Sequence, residues 1–246
     1  MFNRPFFATL LFAFMAIGCG SDDPSMSQQD AEPQTQADPW VPLARYIESR
    51  TSEFDAIAST RREELDALAD FIAESADTGL VRLNFICTHN SRRSQFGQVW
   101  ATVAAHHFGM DSVVKAYSGG TEVTAFNERA VGALRRSGLD IHPSAISDNP
   151  KYAVHYREGS DPLICYSKKY DDVPALDGVG FGAIMTCSDA DRGCPIVYGS
   201  TARFALPYVD PKVADGEENE REVYDERCAD IAREMLYVMS VARGGA

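Results

Sequence analysis

The chain predicts an α/β fold, a four-stranded parallel sheet with helices on both faces, preceded by an N-terminal helical extension. Three observations carry that expectation. Short apolar runs rich in β-formers alternate with segments whose apolar residues recur every three or four positions. The two clearest runs, Val81–Ile86 and Gly180–Thr186, both lead into a cysteine, Cys87 and Cys187, where a strand gives way to a loop. Glycines then punctuate the pattern, paired at Gly119-Gly120 and single at Gly138, as a turn or helix end requires.

Residues 1–39 stand apart from that pattern. Phe6–Ile17 is an apolar block after Arg4 and Pro5, closed by Gly18-Cys19-Gly20 and too short to span a membrane as a mature helix. It reads as a signal peptide over 1–19, followed by a disordered polar tether over 20–39. Ala16-Ile17-Gly18-Cys19 is similar to a bacterial lipoprotein cleavage box, which implies lipidation of Cys19. An ordinary secretory cleavage nearby is the alternative. The absence of aspartate after Cys19 implies, by resemblance to Gram-negative lipoproteins, a periplasmic chain anchored at the outer membrane.

Over 40–78, Leu43, Tyr46, Ile47, Leu65, Leu68 and Ile72 recur at helical spacing, predicting one or two amphipathic helices with Ser59 or Thr60 as a cap before Glu63 and Glu64. Their apolar stripe is expected to pack on the domain that follows, over 79–246. There Val81, Leu83, Phe85 and Ile86 predict the first strand, and Phe96, Val99, Trp100 and Val103 the helix after it. Ser112–Tyr117 predicts a second strand, with Gly119 and Gly120 allowing close backbone approach to the preceding loop. Phe126–Ser137 is the next helix, stopped by Gly138. Within 148–176, Tyr152–Tyr156 and Leu163–Ser167 suggest an inserted hairpin at the rim of the site. Ala202–Val209 completes the sheet, and Glu220–Val241 is a final helix.

The loop from Cys87 to Ser94 carries the chemistry. It is a cysteine, five residues, an arginine and a serine, set between a strand and a helix N-terminus, where backbone N–H groups converge on an oxyanion. Arg93 offers a planar fork to two anion oxygens. The loop amides and helix dipole favour the Cys87 thiolate, and Ser94 can donate to it. A thiolate beneath a tetrahedral oxyanion is a nucleophile aimed at phosphorus or arsenic. The bland alternative is a buried structural cysteine beside two solvated arginines. Thr88, His89, Asn90, Ser91 and Arg92 complete the expected anion cradle.

These residues resemble the low-molecular-weight protein tyrosine phosphatase superfamily, and more closely its thioredoxin-coupled arsenate reductase branch. The resemblance also rests on Tyr117-Ser118-Gly119-Gly120, on Cys187-Ser188-Asp189-Ala190-Asp191-Arg192-Gly193-Cys194-Pro195 and on Asp210-Pro211. It implies the strand order 2-1-3-4, with the site at the carboxyl ends of the strands. It also implies that Asp210 is the general acid and that three thiols act in turn. Cys87 attacks arsenate, Cys187 attacks the adduct so that arsenite leaves, and Cys194 resolves the Cys87–Cys187 bond into a Cys187–Cys194 disulfide for an external dithiol such as thioredoxin. His89 stands where the family usually has glycine, and Arg92 where cysteine is common.

Two other readings stay open. Hydrolysis of a phosphomonoester, phosphotyrosine included, needs only Cys87, Arg93 and Asp210, although Lys212 replaces the aromatic residue that usually faces a phosphotyrosine ring. A non-enzymatic anion-binding or redox-sensing lipoprotein is the third class. An oxidising periplasm also allows Cys187 and Cys194 to be a plain structural disulfide, and a relay there needs a periplasmic dithiol. The formal charge of −13 argues against nucleic acid or an acidic membrane surface as partner. No CxxC or HxxxH pair suggests a metal, and no bound cofactor is expected. Cys165 and Cys228 lie in apolar surroundings and are expected to be core thiols.

Overall fold

The structure is a computed structural model that describes residues 38–193 and 196–245. The expected signal peptide with Cys19, most of the tether, and Cys194 lie outside the described residues. Among the described residues the order is helix α1 (Val41–Thr51), α2 (Ser59–Ala76), strand β1 (Val81–Cys87), α3 (Arg93–His107), β2 (Val114–Gly120) and α4 (Glu128–Arg136). Three short strands follow, β3 (Asp140–Pro143), β4 (Tyr152–His155) and β5 (Leu163–Cys165), then β6 (Phe181–Met185), α5 (Ser188–Gly193), β7 (Ser200–Ala205) and α6 (Glu220–Ala242).

Four strands form one parallel sheet in the order β2-β1-β6-β7, which is the expected order 2-1-3-4 counted among the parallel strands. Because β1 is central, both its faces are covered, and six of its seven residues are buried. Val81, Leu83 and Phe85 join Ile184 in the larger core, against the inward residues of α1 to α4 and α6. On the other face Ile86, Ala183 and Met185 pack with Val173, Leu176 and Ala190, so a segment with a single 3-10 turn (Pro174–Leu176) and the short α5 cover that side.

The register places the cysteines. Cys87 pairs with Gly120 and Ile86 with Met185, so Cys87 ends β1 and Cys187 follows β6 by two residues on the same edge. Thr186 ties the two strand ends together, its N–H and hydroxyl both donating to the Ile86 carbonyl at 2.8 and 3.0 Å.

The N-terminal helices are built into this core. Leu65, Leu68, Ala69 and Ile72 of α2 are fully buried, and each Leu or Ile so buried contributes about 2 kcal/mol. Tyr46 of α1 stacks on the buried Trp100 of α3, with ring centroids 5.3 Å apart. No side chain caps α2: the expected Ser59 is already its first helical residue and Ala58 holds the cap position. At α4 the cap is real, Asn127 accepting from the N–H groups of Arg129 and Ala130.

The expected hairpin is β4 paired with β5, but it belongs to a larger unit. β3 pairs antiparallel with β4 and makes a three-stranded sheet. Only Ile141 of β3 is buried, so its sequence carries no alternation from which a strand could be read. Ser118-Gly119-Gly120 also differ from expectation, lying within β2 rather than after it. No described helix is long and apolar enough to cross a membrane.

A Cβ on Gly119 would strike the Tyr170 backbone, and one on Gly120 would meet the Thr88 carbonyl and the Asn90 N–H at 2.7 Å. Gly119→Ala is therefore expected to destabilise the fold by roughly 2 kcal/mol. Thermal unfolding of the variant tests this, and an unchanged Tm would contradict it.

Candidate active site

Cys87 is the last residue of the central strand β1, so its sulfur is held at the carboxyl end of the sheet, and the residue is only 3 % exposed. Ser94, in the first turn of α3, lies with its Oγ 3.1 Å from the Cys87 Sγ. Asn90 holds the serine in that contact. Its Nδ2 donates to the Ser94 Oγ at 2.8 Å, and toward a Cys87 thiolate, which can only accept, the serine hydroxyl is the donor. Asn90 is itself locked: it is fully buried at φ 46°, a left-handed conformation that asparagine tolerates better than most residues. Its Oδ1 accepts from the Lys168 N–H at 3.1 Å, and its carbonyl accepts from Gln95 Nε2 at 3.0 Å.

The loop leaves its donors open. Among the described residues, the backbone N–H groups of Thr88 to Arg93 donate to no carbonyl or side chain. Arg92 at the helix cap supplies no side-chain cap bond, so the positive end of α3 faces the same place. The loop carbonyls, by contrast, are held from behind: Thr88 accepts from the Glu122 N–H and the Thr121 hydroxyl, and His89 from the Ser167 hydroxyl. Donors inward and acceptors outward make an anion cradle.

Arg93 and Asp210 meet at this cradle. Arg93 donates from one terminal nitrogen to the Tyr208 carbonyl at 3.0 Å and from the other to Asp210 Oδ2 at 2.6 Å. Its Nε is buried and has no partner, leaving a donor for an incoming oxygen. Asp210 is also held by the Lys212 N–H, which donates to its Oδ1 at 3.1 Å. Cys187 is fully buried, accepts from the Ala190 N–H at 3.3 Å, and lies 3.6 Å from the Thr88 hydroxyl. The first two thiols thus flank one threonine.

Two expected cradle side chains turn elsewhere. Arg92 donates to the Tyr224 hydroxyl at 2.7 Å and to Asp215 Oδ2 at 3.3 Å, so it ties the loop to the segment before α6 instead of gripping the anion. His89 faces outward, its Nε2 3.4 Å from Glu122 Oε2, and so shapes the rim. Asn90 acts by positioning Ser94, as above. Beside the loop lies a cavity of about 460 Å³ lined by His89, Ser91, Arg92, Phe126, Arg129 and Lys212. Cys165 and Cys228 are fully buried core thiols, whose ionisation burial pushes up to about 12, which leaves them protonated and inert. No group of three or more metal-ligating side chains occurs among the described residues.

Gln95, Ser167 and Lys168 brace the loop and carry no readable motif. Gln95 Nε2 reaches both the Asn90 and Tyr166 carbonyls, and Asn149 accepts from the Ser167 N–H. Their partners lie more than seventy positions away from the loop in several cases, as for Lys168 and Asn90, so only the folded sheet unites them.

No family model matches the chain. The arsenate reductase of Bacillus licheniformis is 30% identical over 152 residues, which span 62% of this chain and 89% of that protein. The arsenate reductase of Bacillus subtilis (strain 168) is 28% identical over 146 residues, 59% of this chain and 85% of that protein. Among solved structures, a low-molecular-weight protein tyrosine phosphatase from T. tengcongensis aligns over 63% of this chain and 95% of its own, with 17% identity and a TM-score of 0.42. A thioredoxin-dependent arsenate reductase from Corynebacterium glutamicum aligns over 80% of this chain and 85% of its own, with 21% identity and a TM-score of 0.37.

Ser94→Ala removes the donor aimed at sulfur. It is expected to slow alkylation of Cys87 by iodoacetate, an anionic reagent suited to the cradle, by about ten- to a hundredfold, one charge-assisted hydrogen bond. Peptide mapping of the alkylated thiol measures this directly, and an unaltered rate would remove Ser94 from the site.

Proposed function

The chain belongs to the arsenate reductase family, and from that premise we propose that it reduces arsenate to arsenite by a relay of thiols. The observation that carries the reading is the placing of Cys87 and Cys187 at the same edge of the sheet, just past the paired ends of β1 and β6, with the Thr88 hydroxyl 3.6 Å from the second sulfur. A phosphatase has no use for that second thiol. Reduction of As(V) to As(III) takes two electrons, which two thiols supply on becoming a disulfide.

Arsenate enters the cradle of loop N–H groups, and the Arg93 Nε and fork bind its oxygens. The Cys87 sulfur attacks arsenic: an S–As bond forms, an As–O bond breaks, and Asp210 gives the departing oxygen its proton so that water leaves. The Cys187 thiolate then attacks the Cys87 sulfur. An S–S bond forms, the S–As bond breaks, and its electron pair stays on arsenic, which departs as arsenite. Thiolate exchange by Cys194, in the segment that follows α5, moves the bond to Cys187–Cys194 and frees Cys87 as a thiolate. An external dithiol of the thioredoxin type reduces the new disulfide, and no bound cofactor takes part.

The cleavage-box resemblance supports lipid attachment at Cys19 and a periplasmic position at the outer membrane. There the reductant is a periplasmic dithiol, because cytosolic thioredoxin does not reach that compartment. In cells, Cys19→Ala is expected to move the protein from the membrane to the soluble fraction, and a variant that remains membrane-bound would reject the anchor.

The relay is tested by stoichiometry. With arsenate and no dithiol, wild type and Cys194→Ser are both expected to release about one equivalent of arsenite per chain, whereas Cys187→Ser releases none. With dithiol added, only wild type should turn over repeatedly. Full multiple turnover by Cys194→Ser, or sustained phosphate release from p-nitrophenyl phosphate with arsenate left unreduced, would overturn the reading in favour of a phosphatase.

A further inference from the structure

The mechanism above uses Arg93 and Asp210 and leaves a neighbouring charged cluster unexplained. On the helical extension, Arg61 of α2 grips Glu234 of α6 with two parallel bonds, Nε to Oε1 at 3.0 Å and a terminal nitrogen to Oε2 at 2.9 Å. The Tyr208 hydroxyl donates to the same Oε2 at 2.6 Å, and the Arg61 guanidinium lies over the Tyr208 ring, 4.9 Å from its centroid. Glu234 and Tyr208 are 7 % and 8 % exposed, so this is a desolvated clasp whose geometry is hard to shift.

Tyr208 is also the residue whose carbonyl receives Arg93 at 3.0 Å, and Asp210 follows two positions later. Its N–H donates to the Thr186 carbonyl at 3.1 Å, at the strand end that precedes Cys187. The Tyr208 main chain is thus fixed on one side by the sheet edge, and its ring on the other by Arg61 and Glu234. Between these anchors it presents one carbonyl to one arm of Arg93, while Asp210 takes the other arm. Beyond Asp210 the segment is held again at Asp215, which accepts from Arg92 and from the Tyr224 hydroxyl, while Val209 and Val213 on either side of Asp210 are largely exposed. Tyr208 is therefore the point at which α2 and α6 hold the segment on the N-terminal side of Asp210.

We propose that Arg61, Glu234 and the Tyr208 hydroxyl form a positioning clasp that sets Arg93 and Asp210 for the reaction, making the N-terminal helical extension a working part of the active site. None of the three touches substrate; they act through the Tyr208 carbonyl and the backbone leading to Asp210. A reacting group misplaced by an ångström costs up to about a hundredfold in rate, so a distant clasp can govern chemistry without contact. The proposal rests on the arsenate reductase reading, in which Arg93 and Asp210 serve the oxyanion.

The test uses the full chain and single-turnover arsenite release at saturating arsenate, measured across pH, with Tm recorded for each variant. Tyr208→Phe keeps the ring and removes one hydrogen bond. Arg61→Met removes the guanidinium, and Arg61→Lys keeps the charge without the fork. Tyr208→Phe and Arg61→Met are expected to lower the saturated rate by about tenfold, with a smaller change in KM, and to move the limb of the pH profile that Asp210 sets. Arg61→Lys should recover part of the rate. Arg136→Met, which removes an exposed ion pair to Asp225, should leave rate and profile unchanged. Rates within about twofold of wild type with an unmoved pH profile would overturn the proposal, whatever the Tm, and would make the clasp structural only. Should Arg61→Met fail to fold, Tyr208→Phe decides. Failure of the underlying reading looks different: wild type itself then releases no arsenite, or Cys87→Ser releases as much.

Discussion

Parallel pairing of β1 with β6 is the constraint on which the remaining features depend, because it brings two cysteines a hundred residues apart in sequence to one sheet edge. The Ile86 carbonyl, held by both the N–H and the hydroxyl of Thr186, closes the ladder just before the sulfur-bearing residues. A slip of one position would turn the side chains of β6 to the opposite faces and carry Ile184, which belongs to the larger core, out of it. The same burial that stabilises the sheet therefore enforces the geometry of the thiols.

From that edge the loop must turn back on itself without satisfying its own N–H groups. Asn90 makes the turn possible at φ 46°, and its side chain is fully committed to holding the loop, through Lys168 on one side and Ser94 on the other. Glycine would accept the conformation more readily but could offer neither bond. The carbonyls of Thr88 and His89 are tied down from outside by residues 121, 122, 124 and 167. Rigidity here costs no donor that an anion needs.

The second half of the site depends on charge held in low dielectric. Arg93 bridges the Tyr208 carbonyl and Asp210, and Arg92 is withdrawn into a pair with Tyr224 and Asp215. Two neighbouring arginines thus have separate tasks, one at the anion and one fastening the loop to the segment before α6. Burial and the adjacent Glu234 carboxylate push the Tyr208 phenol well above its usual range, so it remains a hydroxyl donor throughout the working pH range.

By itself the sequence determined the alternation of strands and helices, a strand ending at Cys87 and another ending shortly before Cys187, and the spacing of Cys87, Arg93 and Ser94, because these are local patterns of period, turn and motif. It also determined the order of the parallel strands, through a resemblance carried by several motifs in sequence. Only the tertiary structure decided which side chains those motifs engage. Arg92 and His89 sit inside the motif yet face away from the anion, for their partners Tyr224, Asp215 and Glu122 are chosen by packing. β3 was unreadable because a four-residue strand with one buried side chain has no period to detect. Arg61, Tyr208 and Glu234 carry no local signal either: they come from α2, an acid-bearing loop and α6, and their chemistry exists only where three distant segments exclude water together.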